Sequence, residues 1–171
     1  MATLGDSRFA RMAKKKRGRT ARGEPRDSGT RTPWRVHFFK RHRDIDPAQA
    51  VPARDFLDRC PTAVAAKLVA VLKAVADAPP PAFSGGGKWE AMHGEMSGFY
   101  EVRVDGPKRH HYRLFCVLER EGAKLGLGGP SLVLIGGKDK PFQSVLSAAD
   151  YSEIRDLGGE FLSRTPRSVE P

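Results

Sequence analysis

Two periods of apolar spacing run through this chain. Trp34, Val36 and Phe38 alternate with Arg35, His37 and Phe39, the period of two that predicts a half-buried strand. After a polar stretch from Lys40 to Gln49, Val51-Pro52 opens a short helix, because proline suits a first helical turn. Phe56 and Leu57 give that helix its buried side. Cys60-Pro61 ends it and begins another, over 61–78. There Val64, Leu68, Val71, Leu72 and Val75 form one stripe, with Lys67 and Lys73 lying off it. Pro79, Pro80 and Pro81 stop that helix, since proline lacks the amide hydrogen that the next turn needs.

Alternation returns after Gly98. Tyr100, Val102 and Val104 take turns with Phe99, Glu101 and Arg103 until Asp105-Gly106-Pro107 breaks the run. Tyr112, Leu114, Cys116 and Leu118 then take turns with His111, Arg113, Phe115 and Val117. Ser131 to Ile135 is apolar almost throughout, as a strand covered on both faces should be, and Gly136-Gly137 is expected to end it. Ser147 is placed to cap a last helix, with Asp150 at the capping-box position and Ile154, Leu157, Phe161 and Leu162 on its apolar side. The order is β-α-α-β-β-β-α without repeats. It predicts one α+β domain over 33–165 and a short tail over 166–171.

Size and composition narrow the class. The 171 residues allow one domain and an arm. The longest apolar candidate, Val64 to Ala78, is too short to span a bilayer and is interrupted by Lys67 and Lys73. No apolar core follows the N-terminal charges as a secretory leader would require. With only Cys60 and Cys116, a disulfide scaffold is excluded and a reduced cytoplasmic setting is expected.

Charge is unevenly spread. Met1 to Arg43 holds 14 lysines and arginines against 3 acids, a net of +11, whereas Asp44 to Pro171 carries −1. Lys14-Lys15-Lys16-Arg17-Gly18-Arg19, then Arg22, Arg26 and Arg31, shows no apolar periodicity. Residues 1–32 are therefore expected to be a disordered basic arm that attracts nucleic-acid phosphates non-specifically. A solubilising tail, or upstream sequence ahead of a start at Met12, is the alternative.

Several familiar chemistries fail on detail. Gly87-Lys88 lacks the phosphate-loop pattern, because Ala82 and Trp89 stand where glycine and a hydroxyl residue belong. Gly126-Leu127-Gly128-Gly129 does not continue as a dinucleotide fingerprint. The histidines and cysteines show no metal-ligand spacing. Cys116 and Tyr112 sit on the apolar alternation of their strand and read as core, and Trp89 reads as an anchor for the glycine-rich passage before it.

The polar side of the second and third strands is more informative. If Arg103 pairs opposite Arg113, then Glu101, Arg103, His111 and Arg113 share one face. Lys138 and Lys140, beyond the neighbouring strand, would add to a concave basic surface with His111 as a general base. A solvated sheet face with a cross-strand Glu101–Arg113 pair is the plainer reading of the same residues.

The run Phe99-Tyr100-Glu101-Val102-Arg103-Val104, followed by His111-Tyr112-Arg113-Leu114-Phe115, resembles the centre of the RelE/ParE toxin superfamily, in particular its HigB-like, phage-derived branch. Lys88-Trp89-Glu90-Ala91-Met92 resembles that family's approach to the second strand. Ile135-Gly136-Gly137-Lys138-Asp139-Lys140-Pro141 resembles its basic segment after the last strand, and Tyr151 opens a similar final helix. The likeness spans about 34–164. It implies a mainly antiparallel sheet with two N-terminal helices packed on it and a C-terminal helix. It also implies the toxin of a type II toxin–antitoxin pair, either a ribosome-dependent, metal-independent mRNA endoribonuclease without cofactors or a ParE-type gyrase inhibitor that does no chemistry. A non-toxic nucleic-acid-binding relative is a third option.

For the nuclease, the resemblance implies catalytic roles for Arg103, Arg113, His111 and Tyr151. RNA contacts would come from Lys138, Lys140, Lys88 and Arg109, and an antitoxin encoded next door would be the partner, with no membrane involved. Three departures stand out. Glu101 holds a position that is a catalytic lysine in RelE itself, Asp139 interrupts the basic turn, and the C-terminal tyrosine or histidine that serves as acid–base in some members has no equivalent, with Tyr151, His93 or His111 as the substitutes.

Overall fold

Strand β1 (Arg35–Phe39), helix α1 (Pro52–Arg59) and helix α2 (Thr62–Asp77) lie where the two periods place them, in a computed structural model that describes residues 32–78 and 87–171. Residues 1–31 of the basic arm and Pro79–Pro81 fall outside the described residues. After them come β2 (Trp89–Ala91), β3 (Phe99–Gly106), β4 (His110–Glu119), β5 (Ser131–Pro141), α3 (Ala148–Leu162) and β6 (Val169–Glu170). The strands form one six-stranded sheet in the order β2-β3-β4-β5-β1-β6, mixed but mainly antiparallel, with β1 and β5 the parallel pair. The described chain is thus a single small α+β domain.

Each face of the sheet has its own core. The α1 and α2 side buries Val64, Leu68, Leu72 and Val75 against Val102, Leu114, Cys116, Leu132 and Leu134. On the other side α3 lays Ile154 and Phe161 over Phe39, Phe99, Phe115, Val133 and Ile135. This double cover explains why Leu132 to Ile135 is apolar at every position. Cys116 is wholly buried and burial raises its thiol pKa steeply, which makes it core rather than nucleophile. Trp89 is buried in β2 and stacks on Tyr100 at 5.0 Å.

Three expectations need correction. The glycine pair does not end β5, which runs on to Pro141. Gly136 and Gly137 are where helices touch the sheet from opposite sides. A Cβ on Gly137 would lie 2.1 Å from the Phe56 ring of α1, and one on Gly136 would lie 3.0 Å from Ile154 of α3. Second, the short tail over 166–171 carries a strand of its own, β6, which joins the sheet. Val169 and Glu170 pair with Phe39 and Phe38, and the Arg167 guanidinium donates to the Leu162 and Arg164 carbonyls at 2.6 and 2.7 Å, closing the end of α3. Arg54 fastens the last residues by bonding Glu170 at 2.7 Å and the Pro171 carbonyl at 2.6 Å. Third, the order gains β2 as a sheet edge, a strand of three residues.

Candidate functional site

The register of β3 and β4 decides which polar residues meet. Arg103 lies opposite Arg113, Glu101 opposite Phe115 and Asp105 opposite His111, so Glu101, Arg103, Asp105, His111 and Arg113 share the α3 side of the sheet. On β5 the alternation would turn Lys138 and Lys140 the other way, because Leu132 and Leu134 face α1 and α2. A bulge prevents that. The pairing passes from Cys116–Leu134 to Phe115–Gly136, leaving Ile135 as the extra residue. The phase flips by one, and Lys138 and Lys140 come to lie opposite Arg113 and His111 on the same face.

The result is a polar field on β3, β4 and β5 beside the first turns of α3. At its centre Glu101, only 4% exposed, is bracketed by two guanidinium groups. Its Oε1 takes a contact from Arg103 at 2.8 Å and its Oε2 accepts from Arg113 at 2.8 Å. Arg103 also pairs with Glu90 across from β2. The Nε–H groups of Arg103 and Arg113 are buried and have no acceptor among the described residues. His111 Nδ1 lies 2.6 Å from Asp105 Oδ1, and its ring stacks on Phe142 at 4.1 Å. That contact fixes the ring's orientation, with Nδ1 turned to the Asp105 carboxylate and Nε2 on the far side of the ring.

The lysines are tied more locally. Lys138 reaches Glu153 at 2.6 Å and Asp150 at 3.5 Å on α3. Lys140 is buried and bonds the Ser144 carbonyl. The surface is therefore charge-balanced rather than basic, and the cross-strand Glu101–Arg113 pair is present. The remaining expected residues lie apart. Lys88 is exposed just before β2, and Arg109 is exposed in the β3–β4 turn, 6.0 Å from the Phe142 ring centre. Tyr151 sits over Phe115 on α3, edge-on at 6.3 Å, and shares a cavity with His93.

Periodicity misses the acids that partner these cations. Glu90 lies on an edge strand of three residues, and Asp150 and Glu153 lie on a helix whose approach is set by packing. Ser147 and Asp150 form the expected capping box, and the hydrogen bonds from Ser147 hold the Asp150 carboxyl below its ordinary 3.8. The larger cavity, about 750 Å³ between α3 and the Arg41–Pro52 stretch, is lined by Glu153, Asp156 and Glu160 beside Arg41 and is unsuited to a phosphate. No helix among the described residues is long and apolar enough to cross a membrane.

No family model matches the chain, and no curated protein matches it. A solved structure, the RelBE2 toxin–antitoxin complex from Mycobacterium tuberculosis, is similar at 16% identity, covering 63% of this chain and 99% of that one with a TM-score of 0.41.

Proposed function

We propose that this chain is the toxin of a type II toxin–antitoxin pair of the RelE/ParE kind, HigB-like in its motifs. On this reading it is an endoribonuclease that cuts mRNA on the ribosome without a metal. The observation that carries it is the His111–Asp105 pair at 2.6 Å, with Lys140 across the strand and Arg113 two residues along on the same face; the neutral imidazole, held by Asp105 through Nδ1, is the base on this reading. RNA cleavage through its own 2′-OH needs those parts: a base for the hydroxyl proton and cations for the charge that gathers on phosphorus.

In that reaction His111 Nε2 takes the 2′-OH proton and O2′ attacks the adjacent phosphorus. The P–O5′ bond breaks, O5′ leaves with a proton from water, and a 2′,3′-cyclic phosphate remains. Arg113 and Arg103 hold the non-bridging oxygens by exchanging one edge of Glu101 for the phosphate, a swap of like anions on a guanidinium. Lys138, Lys140, Lys88 and Arg109 carry the flanking backbone. The partner is an antitoxin whose acidic or strand-forming segment covers this face, and the working compartment is the cytoplasm.

Primer extension on an mRNA in a cell-free translation reaction, with and without ribosomes, tests this. Wild-type protein should give new ends that need ribosomes, and Arg113→Ala should reduce them about 100- to 1,000-fold, as loss of one transition-state donor does. Because every cation of the field already has a partner, a ParE-type inhibitor that binds without chemistry is the second reading. Intact message in all lanes, with inhibited supercoiling by gyrase, selects it.

A further inference from the structure

The cavity that Tyr151 shares with His93 is separate from the His111–Asp105 pair and has its own chemistry. It measures about 320 Å³ and lies between the first two turns of α3 and the turn Gly94–Met96. It is lined by Tyr151, Met92 and Met96 together with His93 and the ion pair of Glu95 with Arg155 at 3.0 Å. An aromatic ring and two thioethers beside charged and polar groups suit a ligand with two π-faces and a polar perimeter. Aromatic rings stack such ligands, and methionine thioethers are soft, polarisable contacts for them.

Position ties the cavity to the polar field. Tyr151 packs nearly perpendicular to Phe115, and Phe115 lies opposite Glu101 and two residues from Arg113 on the same face. On its other side the same turn of α3 meets Lys138 through Asp150 and Glu153. A phosphate on Arg113 therefore has the cavity at the neighbouring position along the sheet.

We infer that this cavity is a nucleobase subsite, in which one base of a single strand stacks on Tyr151 between Met92 and Met96 with its polar edge turned to His93, Glu95 and Arg155. This rests on the proposed action on RNA and assigns Tyr151 to substrate positioning rather than to proton transfer.

The chain has four methionines, Met1, Met12, Met92 and Met96, so methyl-labelled methionine gives a direct probe in the full-length protein. AMP and CMP should move the Met92 and Met96 methyl signals by ring current and leave Met1 and Met12 in place, whereas ribose 5-phosphate should leave all four unmoved. Tyr151→Leu should weaken AMP binding roughly 5- to 150-fold, the worth of one base stack, and Tyr151→Phe should retain it. A Tyr151→Leu protein whose Met92 and Met96 signals keep their unliganded dispersion is folded at the cavity, which makes its loss of affinity readable. Nucleotides that shift only the Arg103 and Arg113 side-chain signals, with both methyls still, would overturn the subsite and leave the RNA reading standing. If neither region responds and wild-type protein also leaves mRNA uncut, the RNA reading falls and the subsite with it.

Discussion

The α3 side of the sheet is handled in opposite ways along its length. Towards one end, Phe99, Phe115, Val117, Val133 and Ile135 are sealed beneath α3. Towards the other, Glu101, Arg103, His111, Arg113, Lys138 and Lys140 occupy the same face of the same strands, and α3 reaches only Lys138 among them. The change falls between Phe115 and Arg113, a single step of the alternation. The apolar half is held by area removed from water. The polar half is held by mutual neutralisation around Glu101, which fixes both arginines in place; on the proposed reading an incoming anion takes the place of Glu101 on them. One half is held by packing and the other by paired charges.

The sharpest way to break the apolar half is Phe115→Ala. Its ring is fully buried between Val117, Ile135 and Tyr151, and removing it should cost about 3–5 kcal/mol in chemical denaturation. A change under 1 kcal/mol would mean that α3 does not close over this face as described.

Glu101→Ala breaks the polar half. It leaves two arginines facing each other, one of them 31% and the other 15% exposed at the side chain, and should destabilise by about 2 kcal/mol after allowance for that solvent access. Phosphate or formate added at equal ionic strength should restore most of the lost melting temperature, and chloride should not. Equal effects of all three salts would show that the arginines do not form an anion site.

The alternation of β3 and β4 leaves only two choices of face, and the Arg103–Arg113 register selects the one that gathers Glu101, Arg103, His111 and Arg113. The direction of Lys138 and Lys140 could not be read in the same way. It depends on the bulge at Ile135, and one extra apolar residue inside an apolar run leaves no mark on the pattern. Strands β2 and β6 are too short to show a period at all, and their placement depends on Arg103, Arg167 and Arg54 contacts between distant residues. Gly136-Gly137 misled for a physical reason. Glycine marks a strand end when it frees the chain, and the strand's interior when neighbouring side chains need its missing Cβ.

That last point makes Gly137→Ala a test of how tightly the α1 side is built. Phe56 would have to move from its place over the strand, at a cost of about 1–3 kcal/mol. Since Lys138 follows directly and points to the opposite face, the same variant should lower stability while leaving the proposed RNA cleavage by the folded protein within a few-fold of wild type. A full loss of cleavage at retained stability would instead place Gly137 in the site.

The smallest effect lies at the start of α3, where the two halves of the face meet. Ser147 donates to Asp150 from its hydroxyl at 2.7 Å and its amide at 2.9 Å, and Lys138 adds a favourable charge. A carboxyl held below its ordinary 3.8 binds its proton less readily folded than unfolded. Its contribution is therefore complete above the unfolded value and is lost as pH falls through the lower, folded one. Ser147→Ala should cost roughly 1 kcal/mol at neutral pH, and the gap to wild type should narrow progressively as pH falls below about 4. Urea denaturation at pH 7 and at successively lower pH reads this directly. A gap that persists unchanged into strong acid would show that the cap acts through the serine's own hydrogen bond to the Asp150 amide, at 3.1 Å, rather than through the carboxylate.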